Sequence, residues 1–167
     1  KLYSGVKPLR IDHFNCFSKN VDESVKFYSE LGFRVTEYTE DEKSKKLWAA
    51  WMQRKGNVHD MAFTNGIGPR LHHFAFWVPN PLNIIDLLDV MSTTGYVKNI
   101  ERGPGRHGIS NAFFLYIRDP DNHRIEIYTS DYQTIDPDHE PIKWDLKEDY
   151  THFRNKLLSA IRLILIN

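Results

Sequence analysis

The chain has 167 residues, 41% hydrophobic and 26% charged, which is enough for one domain with a real core or two half-domains sharing one. Lysine plus arginine and aspartate plus glutamate both number 22, so no basic excess supports a phosphate-backbone partner, and nucleic acid is not expected. A single cysteine, Cys16, excludes an intrachain disulfide framework and multi-cysteine zinc sites; no apolar run reaches the ~18 residues of a membrane span and no signal peptide opens the chain, so a cytoplasmic protein without membrane contact is expected.

A strand-like run at His13–Phe17 comes first. Val21, Val25, Tyr28 and Leu31 then recur at helical spacing, with Asn20 as cap, Glu23 three residues on to reach back, and Gly32 as stop. Leu47–Met52 and Val58–Phe63 read as strands. The pattern then starts again at His73–Trp77. Asn80 caps a second helix, Pro81 fits its first position, Ile84, Leu87, Leu88 and Met91 form its apolar face, and Gly95 ends it. Asn111–Ile117 and His123–Thr129 follow as strands, and the tight turn Asp119–Asn122 makes residues 111–129 a hairpin. Beyond 130, Asp136–Pro141 is loop-like and Lys156–Ile166 is weakly amphipathic, suited to covering an edge or a partner subunit.

With the segments that begin at Gly32-Phe33 and at Gly95-Tyr96 counted, each half reads strand, helix, three strands. One βαβββ unit of about 60 residues cannot bury both faces of its sheet. The expected architecture is α+β: modules over 9–66 and 67–130 paired into a half-open, eight-stranded barrel with a cleft between them, and a tail over 131–167.

The repeat also selects residues. Side chains alternate along a strand, so Ile11, His13 and Asn15 share a face, as do Leu71, His73 and Ala75, and Arg124, Glu126 and Tyr128. His13 and His73 occupy equivalent places 60 residues apart. Aligning His59–Phe63 with His123–Ile127 sets Ala62 against Glu126. Four symmetry-related positions thus carry His, Ala, His and Glu. Two imidazoles and one carboxylate can hold one face of an octahedral divalent metal, and the alanine leaves the opposite face open, an arrangement suited to non-haem Fe(II). His72, beside His73, is expected to face away, and Cys16 to pack in the core. Gly103–Gly108 spells G-x-G-x-x-G, but a strand pattern follows it instead of a helix, so a dinucleotide site is not supported. The glycines suit an irregular loop carrying His107 over the cleft.

The segments Arg10-Ile-Asp-His-Phe-Asn15, Val58-His-Asp60, Gly68-Pro-Arg-Leu-His-His-Phe-Ala-Phe76, Glu101-Arg-Gly-Pro-Gly-Arg-His-Gly108 and Asp119-Pro-Asp-Asn-His-Arg-Ile-Glu-Ile-Tyr128 carry a resemblance. They are similar to the type I extradiol ring-cleaving dioxygenases of the vicinal oxygen chelate superfamily, with its glyoxalase/bleomycin-resistance/dioxygenase-like fold, and in particular to members acting on 3,4-dihydroxyphenylacetate. The likeness covers about residues 9–145 and corresponds to the C-terminal catalytic half of that family. It implies metal ligation by His13, His73 and Glu126, the trio the repeat selects. It implies Fe(II), or Mn(II), as cofactor, a catecholic substrate and O2 as partners, a homo-oligomer, and a role in aromatic compound degradation. His59 matches the family's acid–base histidine, and Tyr116 its hydrogen-bond donor to a substrate oxygen. Asn15 and His107 are further pocket candidates, and Trp51 and Arg102 match positions near the substrate's ring substituent. An arginine there suits a carboxylate. Two other readings on the same scaffold are a glyoxalase-like metalloenzyme, which Ala62 disfavours, and a non-catalytic ligand-binding module, which needs no His, His and Glu at matched sites.

Overall fold

The computed structural model describes residues 5–144. The weakly amphipathic segment over 156–166 lies outside them. The first half supplies β1 (Arg10–Ser18), α1 (Val21–Glu30), β2 (Arg34–Glu40), β3 (Leu47–Gln53) and β4 (Met61–Asn65). The second supplies β5 (Arg70–Trp77), α2 (Pro81–Thr93), β6 (Ile100–Arg106), β7 (Phe113–Arg118) and β8 (Arg124–Thr129). A ninth strand, β9 (Ile142–Trp144), comes from the stretch read as tail. Its three residues carry no strand signal of their own. They are strand because they pair in parallel with Glu37–Thr39 of β2.

Both helices start where the caps predict. Asn20 Oδ1 accepts from the Glu23 N–H at 3.3 Å, a bond worth about 1 kcal/mol. Asn80 accepts from Leu82 N–H at 2.9 Å, and its own N–H donates to Asn83 Oδ1, so Asn83 completes a reciprocal box. Gly32 and Gly95 follow the helices with φ of +86° and +82°, the left-handed stop that side chains with a Cβ resist.

The sheet order is β6-β7-β8-β5-β1-β4-β3-β2-β9. The first strand of each half pairs in parallel with the last strand of its own half, β1 with β4 and β5 with β8, and the two first strands pair antiparallel at the centre. Asn15 faces Ala62 in one half, and Ala75 faces Glu126 in the other. The register therefore makes Ala62 and Glu126 equivalent.

The convex face carries the helices over two separate apolar cores. Val21 of α1 packs with Ala50, Met52, Met61 and Phe63, and Cys16 lies at the edge of this cluster. Ile84 of α2 packs with Val78, Leu115 and Ile127. The concave face is lined instead by polar groups, and His13, Asn15, His59, His73, Tyr116 and Glu126 are all buried there.

Strict alternation fails in β1. A register shift lies between Ile11 and Phe14, so Asp12 and His13 are both buried while Ile11 is 58% exposed. Ile11 does not share the face of His13, because a bulge rotates successive residues off the two-residue period. The glycine-rich segment also differs from its expected form. Gly103–Arg106 is the second half of β6, with irregular pairing to β7, and the loop proper begins at His107. At Gly103, φ is +102° and an added Cβ would stand 2.9 Å from the Phe114 carbonyl oxygen. The glycine thus permits close strand approach.

Candidate metal centre

Three neighbouring strands aim three ligating atoms at one point. β1 brings His13, β5 brings His73 and β8 brings Glu126, and all three side chains are buried. Glu126 Oε2 lies 3.0 Å from Nε2 of His13 and 3.0 Å from Nε2 of His73; the two nitrogens are 3.3 Å apart. Separations of this size would let the three atoms share one divalent ion with bonds of about 2.1 Å. The donor set, two imidazoles and a carboxylate, is that of a divalent metal site with open positions. The residues therefore fit the group that the sequence implies.

The neighbours of these ligands are built from the repeat as well. His13 Nδ1 is held by Asp12 Oδ2 at 3.0 Å, and Asp12 Oδ1 accepts from Arg10. His73 Nδ1 meets His72 Nδ1 at 2.5 Å, and His72 Nε2 accepts from Arg124 at 2.6 Å. Each of the two histidines is thus oriented by the residue before it. His72 does not face away: its ring contacts His73 and Phe17. Burial, then the neighbouring His73 and Arg124, lower its pKa to about 3, so it is a neutral partner. Arg124 and Arg118 in turn clamp Glu101 on β6, whose pKa they lower to about 2.

The electrostatics of the trio are those of an anion stabilised by N–H donors. Burial works against the charge of Glu126, but His73, His107 and His13 outweigh it and hold its pKa well below the usual carboxylate range. Burial also opposes the charge of His13, yet Asp12 and Glu126 raise it to about 9. His73 lacks a carboxylate at its outer nitrogen, and burial lowers its pKa. Since such outer partners typically contribute about 10–100-fold to metal affinity, Asp12→Asn is expected to weaken metal binding by roughly that factor while leaving the fold intact. A titration with Fe(II) or Mn(II) giving wild-type affinity would remove Asp12 from the site.

The other candidates surround the centre. His59, just before β4, has its ring 4.0 Å from that of His13, and its Nδ1 is buried without a hydrogen-bond partner among the described residues. Tyr116 stands opposite Glu126 in the β7–β8 register, its ring 5.2 Å from His73 and its hydroxyl 3.5 Å from His107 Nε2. Burial and the Glu126 charge push the Tyr116 phenol well above its ordinary pKa, so it is a neutral donor. His107 reaches Glu126 Oε1 with Nε2 at 3.0 Å and stacks on Phe114 at 3.8 Å. Asn15 is buried beside the centre, its Oδ1 accepting from Thr64 at 3.2 Å. Trp51 and Arg102 stand one strand further out: Trp51 on β3 opposite Ala62, Arg102 exposed on β6 opposite Tyr116.

A second buried carboxylate, besides Asp12, was not expected. Glu37 on β2 is fully enclosed and accepts hydrogen bonds from the Ser110 backbone, Tyr132 and Trp144. No short-range pattern marks it, because its donors lie 73, 95 and 107 residues away.

Comparison with known proteins follows the same lines. The sequence model of the Glyoxalase/Bleomycin resistance protein/Dioxygenase superfamily matches residues 10–127. The manganese-dependent 2,3-dihydroxybiphenyl 1,2-dioxygenase of Geobacillus genomosp. 3 is 38% identical over 149 residues, covering 86% of this chain and 47% of that protein. A metapyrocatechase of Geobacillus stearothermophilus is 34% identical over 149 residues, covering 86% and 44%. Among solved structures, homoprotocatechuate 2,3-dioxygenase from Brevibacterium fuscum, in complex with 3,4-dihydroxyphenylacetate, is 54% identical with a TM-score of 0.81, covering 84% of this chain and 44% of that one. The chain spans about half the length of the curated relatives it matches. Among the described residues, no helix is long and apolar enough to cross a membrane.

Proposed function

The chain belongs to the glyoxalase/bleomycin resistance protein/dioxygenase superfamily, and from that membership we propose that it carries the metal centre of an extradiol dioxygenase cleaving 3,4-dihydroxyphenylacetate with O2. The observation that carries this reading is the converging triangle of His13, His73 and Glu126, with Ala62 at the fourth equivalent position. A second carboxylate there would favour closed, four-ligand chemistry. Alanine leaves room for a substrate that brings two adjacent oxygens. Fe(II) or Mn(II) held by the three residues supplies a template and an electron path between the catechol and O2.

The side chains around the triangle manage protons and orientation. Cleavage places both oxygen atoms of O2 in the ring-opened product and requires a catechol hydroxyl to give up a proton. His59 is placed to take it and return it later, since its imidazole is buried, held neutral and unpartnered at Nδ1. Tyr116 and His107 present donors to a substrate oxygen beside Glu126. Buried Asn15 helps shape the pocket, and Trp51 walls its outer side.

Arg102 is the cation for the substrate's acid group. A charged hydrogen bond contributes about 1.5–3 kcal/mol when shielded from water. Arg102 is exposed, so the lower end applies. Arg102→Leu is expected to reduce the preference for 3,4-dihydroxyphenylacetate over plain catechol by about tenfold; equal preference in both proteins would dismiss this role.

The whole reading is tested by loading the purified chain with Fe(II) or Mn(II) without oxygen, adding 3,4-dihydroxyphenylacetate, then admitting O2. The expected result is a yellow ring-cleavage product. Full metal loading with bound catechol and no product after O2 would overturn it.

A further inference from the structure

The sheet has two ends that no backbone ladder joins: β6 at one, β2 with β9 at the other. Glu37 on β2 connects them. Its carboxylate oxygens lie 3.0 and 3.1 Å from the Ser110 backbone N–H, in the loop between β6 and β7. Oε1 also accepts from the Tyr132 hydroxyl, and Oε2 accepts from Trp144 Nε1 at 2.9 Å. These donors come from the other half of the repeat and from the segment that follows it.

This is a costly arrangement. Glu37 is fully buried and its hydrogen-bond donors are neutral groups. A well-packed apolar side chain of similar volume is often at least as stabilising as a buried charge. What the carboxylate adds is definition. Ser110 and Asn111 hold φ of 62° and 53°, a left-handed pair that residues with a Cβ adopt only when their surroundings fix them. The Ser110 amide is fixed by Glu37. The same loop is closed by His107 N–H to the Ala112 carbonyl at 2.8 Å, and its first residue places Nε2 3.0 Å from Glu126 Oε1. The Trp144 ring lies over Gly108, the next residue.

We propose that Glu37 is a positioning residue for the metal cleft: by clasping Ser110, Tyr132 and Trp144 it closes the seam of the half-barrel and fixes the loop that holds His107 against Glu126. Its effect on turnover rests on the extradiol reading; its effect on the loop does not.

The test uses the full chain and Glu37→Gln, which keeps size but loses two acceptor contacts. In the metal-free protein, the His107 ring resonances, shifted by stacking on Phe114, are expected to move toward solvent values, and the amides of 109–112 to exchange roughly tenfold faster. Exchange in β1 and β5 is expected to stay unchanged. In the metal-loaded protein, Glu37→Gln is expected to lower kcat about tenfold with little change in KM, and to cost nothing further in a His107→Asn background. Unmoved His107 resonances in folded Glu37→Gln, or losses that add in the double variant, would overturn the proposal. If Glu37→Gln does not fold, Tyr132→Phe and Trp144→Phe each remove one donor; a wild-type loop in both would overturn it equally. If the wild-type chain cleaves no catechol, the functional reading fails by itself, and the resonance and exchange measurements still decide the clasp.

Discussion

Glu126→Gln and His73→Ala are each expected to abolish metal retention and turnover while leaving the fold in place. Both residues are buried on central strands, yet their polar atoms face each other on the concave side and not the apolar cores beneath the helices. Glutamine keeps the shape of glutamate and removes the one negative charge in the triangle, so the loss in affinity should exceed the roughly 10–100-fold typical of an outer partner. Metal analysis after dialysis against a chelator, with circular dichroism as the control for folding, reads the result. Stoichiometric metal persisting in both variants would sink the assignment. The wild-type chain adds a second readout. With its pKa raised to about 9, His13 carries a proton at neutral pH, and a metal ligand must be unprotonated. Metal uptake should therefore release protons, and affinity should climb with pH until about pH 9. Affinity independent of pH between 6 and 8, on the order of neutrality, would place the metal away from His13.

The parts of this protein legible in its sequence are those with local or repeated signals. Helix caps at Asn20 and Asn80 and stops at Gly32 and Gly95 lie within a few residues of what they organise. The alignment of Ala62 with Glu126 followed from comparing the two halves, and the registers of β1–β4 and β5–β8 carry the same equivalence. What stayed hidden depends on geometry that two-residue alternation cannot express. The shift in β1 turns Asp12 inward beside His13, and thereby exposes Ile11. His72 looked like an outward residue by parity, yet its ring bends back to its neighbour and to Arg124, 52 residues away. Glu37 sits among Thr36, Thr39 and Glu40, a polar run that reads as a wet strand; its enclosure needs Ser110, Tyr132 and Trp144. β9 has the same origin, because three residues become a strand only once β2 is there to pair with them.

His59→Asn and His59→Phe are expected to keep metal and to bind catechol anaerobically like the wild type, yet to form ring-opened product roughly 10²–10⁴-fold more slowly, the usual contribution of a positioned general acid–base. The His59 ring lies against His13, but the atoms that converge on one point belong to His13, His73 and Glu126. Metal content should therefore survive the change. Burial, chiefly, and then the neighbouring His13 lower its pKa well below the ordinary histidine value, despite the opposing pull of Glu126. The imidazole is thus neutral at pH 7 with a lone pair open to a proton, although the lowered pKa opposes the uptake. Once protonated it is an uncomfortable cation in an enclosed site, and it gives the proton up readily. Those two properties describe a shuttle, and asparagine and phenylalanine lack both. Phenylalanine also preserves the ring's bulk, so a slow Phe variant separates proton transfer from packing. If product forms at the wild-type rate in either variant, His59 is a packing residue. If metal is lost instead, its part is to support His13, and the proton must travel through Tyr116 or His107.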